Sequence, residues 1–478
     1  MTAPLILATN SVKDTGYDID NSLRFNGDNF LQRNNPSATS TNDKKGTFSF
    51  WFKRDKFPDE SQVFVHQADS SVKRFGLQLA NNDEFIFQIR NDSESVDIDG
   101  TTTLDRVYRD VSSWTHICFN YDTSGGTNGC KLFVNGTEQA LSYSATLPQN
   151  FVMQPNVSSF ANHTIGRDST QSSNFWTGYL TEFMFVDGQQ LAPTEFGEYD
   201  SDSPSIWKAK DVTGINVGNL GYYLDFENAS SLGNDVSGVG NFTATNCATT
   251  DQTTDTCTNN FATINPLDNF FANSTISEGM TKVVTNSSAE AMNTSTFAMT
   301  KGKWYFEVDN ISGAGAQICG ITPTPSFQTS SHGKSGDVTP HTISYIQSGK
   351  VQEGNGSGGQ TDLASYASYG NGDIIGVYMD LDNMKAYLSK NGTLQSSTGI
   401  DLEPLASNGT GHYMFFVGDN NAGSRTCEAN FGNGFQSLSS AVADDNGHGA
   451  FEFSPNITGD SEAKKFFACC SKNLAEFG

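Results

Sequence analysis

Along much of the chain, apolar and polar residues alternate one for one. In 47–53, Phe48, Phe50 and Phe52 fall on one face, with Thr47, Ser49 and Lys53 on the other. In 116–122, Ile117, Phe119 and Tyr121 alternate with His116, Cys118, Asn120 and Asp122. The pattern returns in 303–308 with Trp304, Phe306 and Val308, and in 374–381 with Ile375, Val377, Met379 and Leu381. A period of two with one apolar face belongs to antiparallel strands that cover a core on one side. Helical periodicity hardly occurs. Asn26-Gly27, Asn135-Gly136, Asp187-Gly188, Asn391-Gly392 and Asn408-Gly409 supply residues that tolerate the positive φ of tight hairpin turns. The pattern predicts an all-β protein: two antiparallel β-sandwich (jelly-roll) domains in tandem.

Between the strand-rich blocks, from about Ala229 to Ser295, Asn, Thr, Ser and Gly dominate and apolar density falls. This reads as linking structure. The expected organisation is an N-terminal arm (1–19), a first sandwich (20–228), a linker (229–295), a second sandwich (296–455) and a tail (456–478). The tail carries Phe466, Phe467, Cys469, Cys470, Leu474 and Phe477, an apolar set that must dock on its own domain or on another chain. Pro4-Leu5-Ile6-Leu7 is expected to anchor in the same way.

Composition narrows the partners. Among 478 residues, 53 acids against 28 bases leave a net charge of −25. Such a surface repels phosphate backbones and anionic lipid, so neither nucleic acid nor membrane insertion is expected. No stretch approaches the roughly 20 apolar residues of a membrane span, and the start lacks the basic and apolar regions of a signal peptide. The eight cysteines show no C-x-x-C spacing. Pairing 115–122 with 130–137 around 123–129 sets Asp122 against Cys130 and Cys118 against Val134, too distant for a bridge. Cys247 and Cys257 are the pair most suited to bridging, with reduced thiols the favoured state for a protein made in a cytosol.

Particular segments resemble known families. Thr47–Arg54, Trp114-Thr115-His116-Ile117, Lys131–Gly136 and above all Gly178–Gly188 resemble a concanavalin A-like, laminin-G-like jelly roll. Gly221–Phe226 would close that fold beside Leu23–Phe25. Gly302–Val308, Gly372–Val377 with Asp380-Leu381-Asp382 and Ser389–Gly392, and Cys427–Gly432 resemble a SPRY-like sandwich. The tandem order, with Thr258–Leu267 between the modules and Lys472–Phe477 at the end, resembles structural proteins of marine bacteriophages, including cyanophages. The resemblance implies a non-enzymatic virion structural protein, tail-fibre-like or a capsid or tail surface subunit, assembled in the host cytoplasm. It would contact other virion proteins or host-surface glycans. A homo-oligomer follows, a trimer suiting a fibre, although no heptad run enforces one. Two alternatives stand beside it: a carbohydrate-active enzyme or carbohydrate-binding module, and an intracellular peptide-binding adaptor.

Candidate sites are few. Retaining glycosidases of this fold carry Glu-x-Asp-x-x-Glu or Glu-x-Asp-x-Glu on one strand face, and neither motif is present. Glu182 would share its face with Leu180, Met184 and Val186, and Asp225 would share one with Glu227 alone. No catalytic residue is assigned. There is no Gly-x-Ser-x-Gly elbow, His116 reads as a packed or surface histidine, and His332 and His341 lack acid partners. No cofactor is required. The laminin-G resemblance implies Ca²⁺ at the sandwich rim, with Asp97, Asp99 and Asp168 as oxygen donors, although the acids present are too few to specify a site. Sugar contact needs aromatic faces beside polar loops, which points to Phe175 and Trp176 in the first module and to Tyr366 and Tyr369 in the second.

Overall fold

Phe48, Phe50 and Phe52 do point one way: their rings are buried beside Ile117, Phe119 and Tyr121 in one apolar cluster. The computed structural model describes residues 6–7, 16–57, 60–70, 73–103, 106–268, 274–285, 291–313, 316–323, 342–354, 359–402, 411–421, 423–435, 437–458 and 464–478. Among these, strands dominate and one α-helix occurs, Ser471–Phe477. The chain falls into two compact units, Thr15–Thr258 and Asn259–Gly478, and the short strand Ile6–Leu7 pairs in parallel with Phe297–Ala298 of the second.

In the first unit, two sheets enclose the core. One runs, by neighbour, Thr137–Gln139, Cys130–Val134, Thr115–Asp122, Lys45–Arg54, Thr177–Asp187, Ser22–Asn26 and Gln252–Thr253. Tyr222–Leu224 pairs with the far half of Thr177–Asp187, continuing the edge along which Ser22–Asn26 pairs with the near half. The other sheet runs Leu141–Tyr143, Val96–Thr102, Phe85–Asn91, Lys73–Leu79, Gln62–Ser70, His163–Ile165, Phe30–Arg33 and Thr243–Thr245. Their inner faces interdigitate through Phe64, Phe75, Phe87, Trp176, Phe183 and Phe185, the packing expected of stacked sheets.

The two outer faces differ, and that difference positions the site. The first sheet is covered on its outer side by Trp114, Trp207, Phe196 and Val212, so every residue of Thr177–Asp187 is buried. On the second sheet, Phe85–Asn91 and Val96–Thr102 alternate buried with open positions, leaving a polar outer face.

Residues 229–258 are core-forming rather than linking. Leu232 and Phe242 join the main cluster, Thr243–Thr245 adds an edge strand, and Asp255 pairs with Lys53 at 2.8 Å with neither side chain exposed. The Asn/Thr/Asp composition was misleading because these polar groups are themselves hydrogen-bonded caps. Asp235 accepts from the backbone of Tyr223, Ser237 and Gly240, and Asp251 from that of Ala248.

The second unit repeats the principle. Trp304, Phe306 and Val308 face a core with Ile375, Val377 and Met379, while Tyr305 and Glu307 on the reverse side are covered by the end of the chain. The buried Glu307 carboxylate accepts from the backbone N–H of Glu452 and Phe453 at 2.8 Å and from Asn430, and burial lifts its pKa to about 7. Phe467–Ala468 pairs with Trp304–Tyr305, so the tail docks within its own unit.

Register corrects one sequence reading. Cys130 faces Tyr121 and Cys118 faces Phe133, one residue away from the expected pairing, because Asp122 and Gly129 close the loop by a backbone hydrogen bond. All eight cysteines are free, Cys247 and Cys257 included.

Candidate functional site

Strand His163–Ile165 ends at Gly166, whose φ of +94° and contact with Phe25 leave no room for a side chain. A Cβ there would lie 2.6 Å from the Phe25 ring. The loop that follows is closed at its base: Trp176 N–H donates to the Gly166 carbonyl at 2.8 Å, and Val63 N–H to that of Asn174 at 3.1 Å. Within it, the Asp168 carboxylate accepts from Thr170 N–H and Oγ1, both at 2.7 Å. Ser169 Oγ and His66 Nδ1 lie 2.8 Å apart.

Successive residues at the end of the loop point opposite ways. Trp176 is fully buried, 4.5 Å from the Phe64 ring centre and edge-on to Phe52. Phe175 is left half-buried on the outer face, 6.4 Å from Phe30. Arg167 completes the group, with its guanidinium carbon 3.6 Å from the centre of the Phe30 ring. Its Nε is buried without a hydrogen-bond partner among the described residues, and burial lowers the guanidinium pKa against the opposing pull of the neighbouring Asp168 charge. A planar fork of five donors stacked on an aromatic ring is poised for vicinal hydroxyls or a carboxylate. Gln32, on the same face, donates to Asn162 Oδ1 and flanks the platform.

From this platform the outer face continues along a register row: Gln32, Thr164, His66, Gly76, Gln88 and Asp99 are successive cross-strand neighbours. At about 4.8 Å per strand, the row spans roughly 24 Å. The Arg167–Thr170 loop stands over Thr164 and His66, and Thr164 Oγ1 donates to the Arg167 carbonyl. Gly76 leaves room for the His66 ring, whose Cδ2 would lie 3.0 Å from a Cβ at that position. Beyond the loop, Arg74, Gln88 and Arg90 are partly open, and Asp97 and Asp99 are exposed.

The expected residues scatter accordingly. Asp97 and Asp99 lie on Val96–Thr102, and three strands separate it from the one preceding Asp168, about 19 Å across the sheet. They do not form one coordination sphere with Asp168, which instead caps its own loop and lies 3.5 Å from His66. No group of three or more metal-ligating side chains occurs among the described residues. Of the aromatic candidates, Phe175 belongs to the platform and Trp176 to the core. Tyr369 is buried and donates to the Gln317 and Tyr345 carbonyls, while Tyr366 is half-buried against Tyr345. His332 and His341 lie outside the described residues. His116 is buried between Ser49 Oγ and Trp207 Nε1, and burial pushes its pKa down to about 3.

Glu182 is not where strict alternation puts it. Pairing shifts between Thr181 and Met184, and Glu182 occupies the bulge with φ +51°. The extra residue reverses parity: Leu180, Phe183 and Phe185 face the core, whereas Met184 and Val186 face outward. Tyr223 Oη donates to both carboxyl oxygens, at 2.9 and 2.8 Å. Burial, reinforced by Asp225, Glu227 and Asp211, raises the pKa to about 8. Asp225 and Glu227 do not share a strand face, since the strand ends at Leu224 and Phe226 has φ +61°. Arg167, Phe30 and Gln32 carried no motif; the one local sign was a glycine placed at the end of a short strand.

Comparison with known proteins bears on the fold. Residues 25–195 match the laminin-G-type model of the concanavalin A-like lectin/glucanases superfamily. No curated protein sequence matches the chain. Among solved structures, the SPRY domain of human HERC1 is similar at 12% identity, covering 35% of this chain and 96% of that one, with a TM-score of 0.28. The CBM40 module of the Ruminococcus gnavus IT-sialidase, bound to α2,3-sialyllactose, is similar at 15% identity over 34% of this chain and 95% of that one, TM-score 0.25. A heptameric pentraxin from Limulus polyphemus shares 16% identity over 37% and 80%, TM-score 0.25. The chain is nearly all-β, and residues 25–195 carry a concanavalin A-like domain of the laminin-G type.

Proposed function

We propose that this protein is a non-enzymatic binding protein that holds glycans on the open sheet face of its first unit. The observation that carries this reading is the Arg167 guanidinium, stacked on Phe30 with its Nε unpartnered, beside the half-open Phe175. A stacking surface next to a donor fork meets both needs of sugar recognition, an apolar ring face and directed hydrogen bonds. The acid that a hydrolase would need has another role: Glu182 has both oxygens engaged by Tyr223 and faces a cleft beside Trp51 and Met184 too small for a sugar ring. The virion surface is the setting we infer from the tandem order of modules, with neighbouring virion proteins as further partners. The test is a glycan array followed by titration calorimetry on the full chain. Binding without cleavage, lost in Arg167→Gln and in Phe175→Ala but kept in Tyr366→Ala, is the expected result. Bond cleavage, or binding indifferent to both platform variants, overturns the reading. Detection of the protein in purified phage particles tests the setting.

A further inference from the structure

In the second unit, strand Lys303–Gly313 begins beside the C-terminal helix, and a cleft of about 310 Å³ opens between them. Gly302, Lys303, Asp382, Lys465, Phe467 and Phe477 line it. We infer that this cleft is a second saccharide site, sized for one or two neutral sugar rings and independent of the Arg167 platform.

Four features support this. The Phe467 and Phe477 rings stack on each other, 3.9 Å between centres and 11° apart, so the buried Phe467 backs the partly open Phe477 as one apolar wall. Gly302 shapes the mouth: with φ +85°, a Cβ there would lie 2.7 Å from the Phe477 carbonyl. Asp382 is exposed and spends Oδ1 on Gly302 N–H at 2.9 Å, and among the described residues Oδ2 has no partner. Two ammonium groups complete the lining. Lys303 lies 3.4 Å from the buried Asp380 and Lys465 2.5 Å from Asp445, so each keeps further N–H donors for the cleft.

Charge selects the class of ligand. Each lysine is already neutralised by a carboxylate, and Asp382 adds a negative charge, so a free anion gains little here. A ligand with both donors and acceptors gains from both kinds of group, and a sugar ring adds an apolar face for the phenylalanine wall. The volume lies at the lower end of ligand pockets, about 300–1,000 Å³, which suits a monosaccharide or disaccharide.

Saturation-transfer NMR on the full chain tests this with the methyl glycosides of glucose, galactose, mannose and N-acetylglucosamine. At least one should receive transfer from wild type and from Arg167→Gln alike. That transfer should fall at least tenfold in Phe477→Ala and in Asp382→Asn. The asparagine substitution keeps an acceptor for Gly302 N–H, so an unchanged melting temperature separates lost binding from lost folding. No transfer to any of the four, or transfer intact in both cleft variants, overturns the inference. Transfer abolished by Arg167→Gln assigns the sugar to the first unit and overturns it too, while leaving the platform reading standing.

Discussion

Replacing Glu182 by glutamine should make the first unit's stability less sensitive to pH, in a direction set by the site. The carboxyl titrates near 4.5 in the unfolded chain and at about 8 when folded, because burial and three neighbouring acids oppose its charge. Between these values the folded state holds a proton that the unfolded state has lost, so stability declines as pH rises. Glu182 therefore costs nothing below pH 4.5, and its cost is complete above pH 8. The slope is about 1.4 kcal/mol per pH unit, which makes the penalty about 3 kcal/mol at pH 7 and about 5 kcal/mol above pH 8. The glutamine amide retains an acceptor for Tyr223 Oη and cannot ionise. Urea unfolding followed by tryptophan fluorescence isolates the effect, since four of the five tryptophans (Trp51, Trp114, Trp176 and Trp207) belong to this unit. The Glu182→Gln variant should match wild type near pH 5 and exceed it increasingly toward pH 8.5. Parallel stability curves across that range would refute the buried, proton-holding state assigned to Glu182.

Three further outcomes are expected. Lys53→Met should cost about 3–5 kcal/mol by stranding the buried Asp255 carboxylate, and adding Asp255→Leu should restore much of it, both read by urea unfolding. Trp176→Ala should cost about 3–5 kcal/mol through the cavity it leaves between Phe52 and Phe64, and should weaken glycan binding by releasing Phe175. On the acid side, burial depresses His66 from 6.5 to about 4, so the unfolded chain takes up a proton first and stability falls as pH drops through this window. His66→Gln should flatten that fall in a melting-temperature series from pH 7 to pH 4.

The strands were legible because a core on one side imposes a period of two, and Phe48, Phe50, Phe52, Trp304, Phe306 and Val308 obey it. Turn chemistry was legible where both residues need positive φ, as at Asn135-Gly136 and Asn391-Gly392. Asn408-Gly409 lies outside the described residues. Alternation failed at Glu182, because a bulge inserts one residue without any compositional mark. It also failed to identify Leu232 and Phe242 as core, since two isolated apolar residues in a polar segment show no period. The platform was legible only in part: Phe175 stood out in its loop, whereas Phe30 lies far away in sequence and comes beside Arg167 only through the pairing of Phe30–Arg33 with His163–Ile165. Of the adjacent pair Phe175-Trp176, sequence alone could not say which ring faced outward.

The hydrogen bond that ties Gly166 to Trp176 makes the intervening residues a detachable cassette. The sheet beneath is held mainly by its own strand pairing, with the loop adding contacts to Val63, Thr164 and His66, and lengthening a closed loop costs little, about 0.6 kcal/mol for each doubling. Residues 167–174 can therefore be exchanged for longer or differently charged ones with the strand order kept, and on the proposed reading such an exchange would alter ligand choice before it altered the fold.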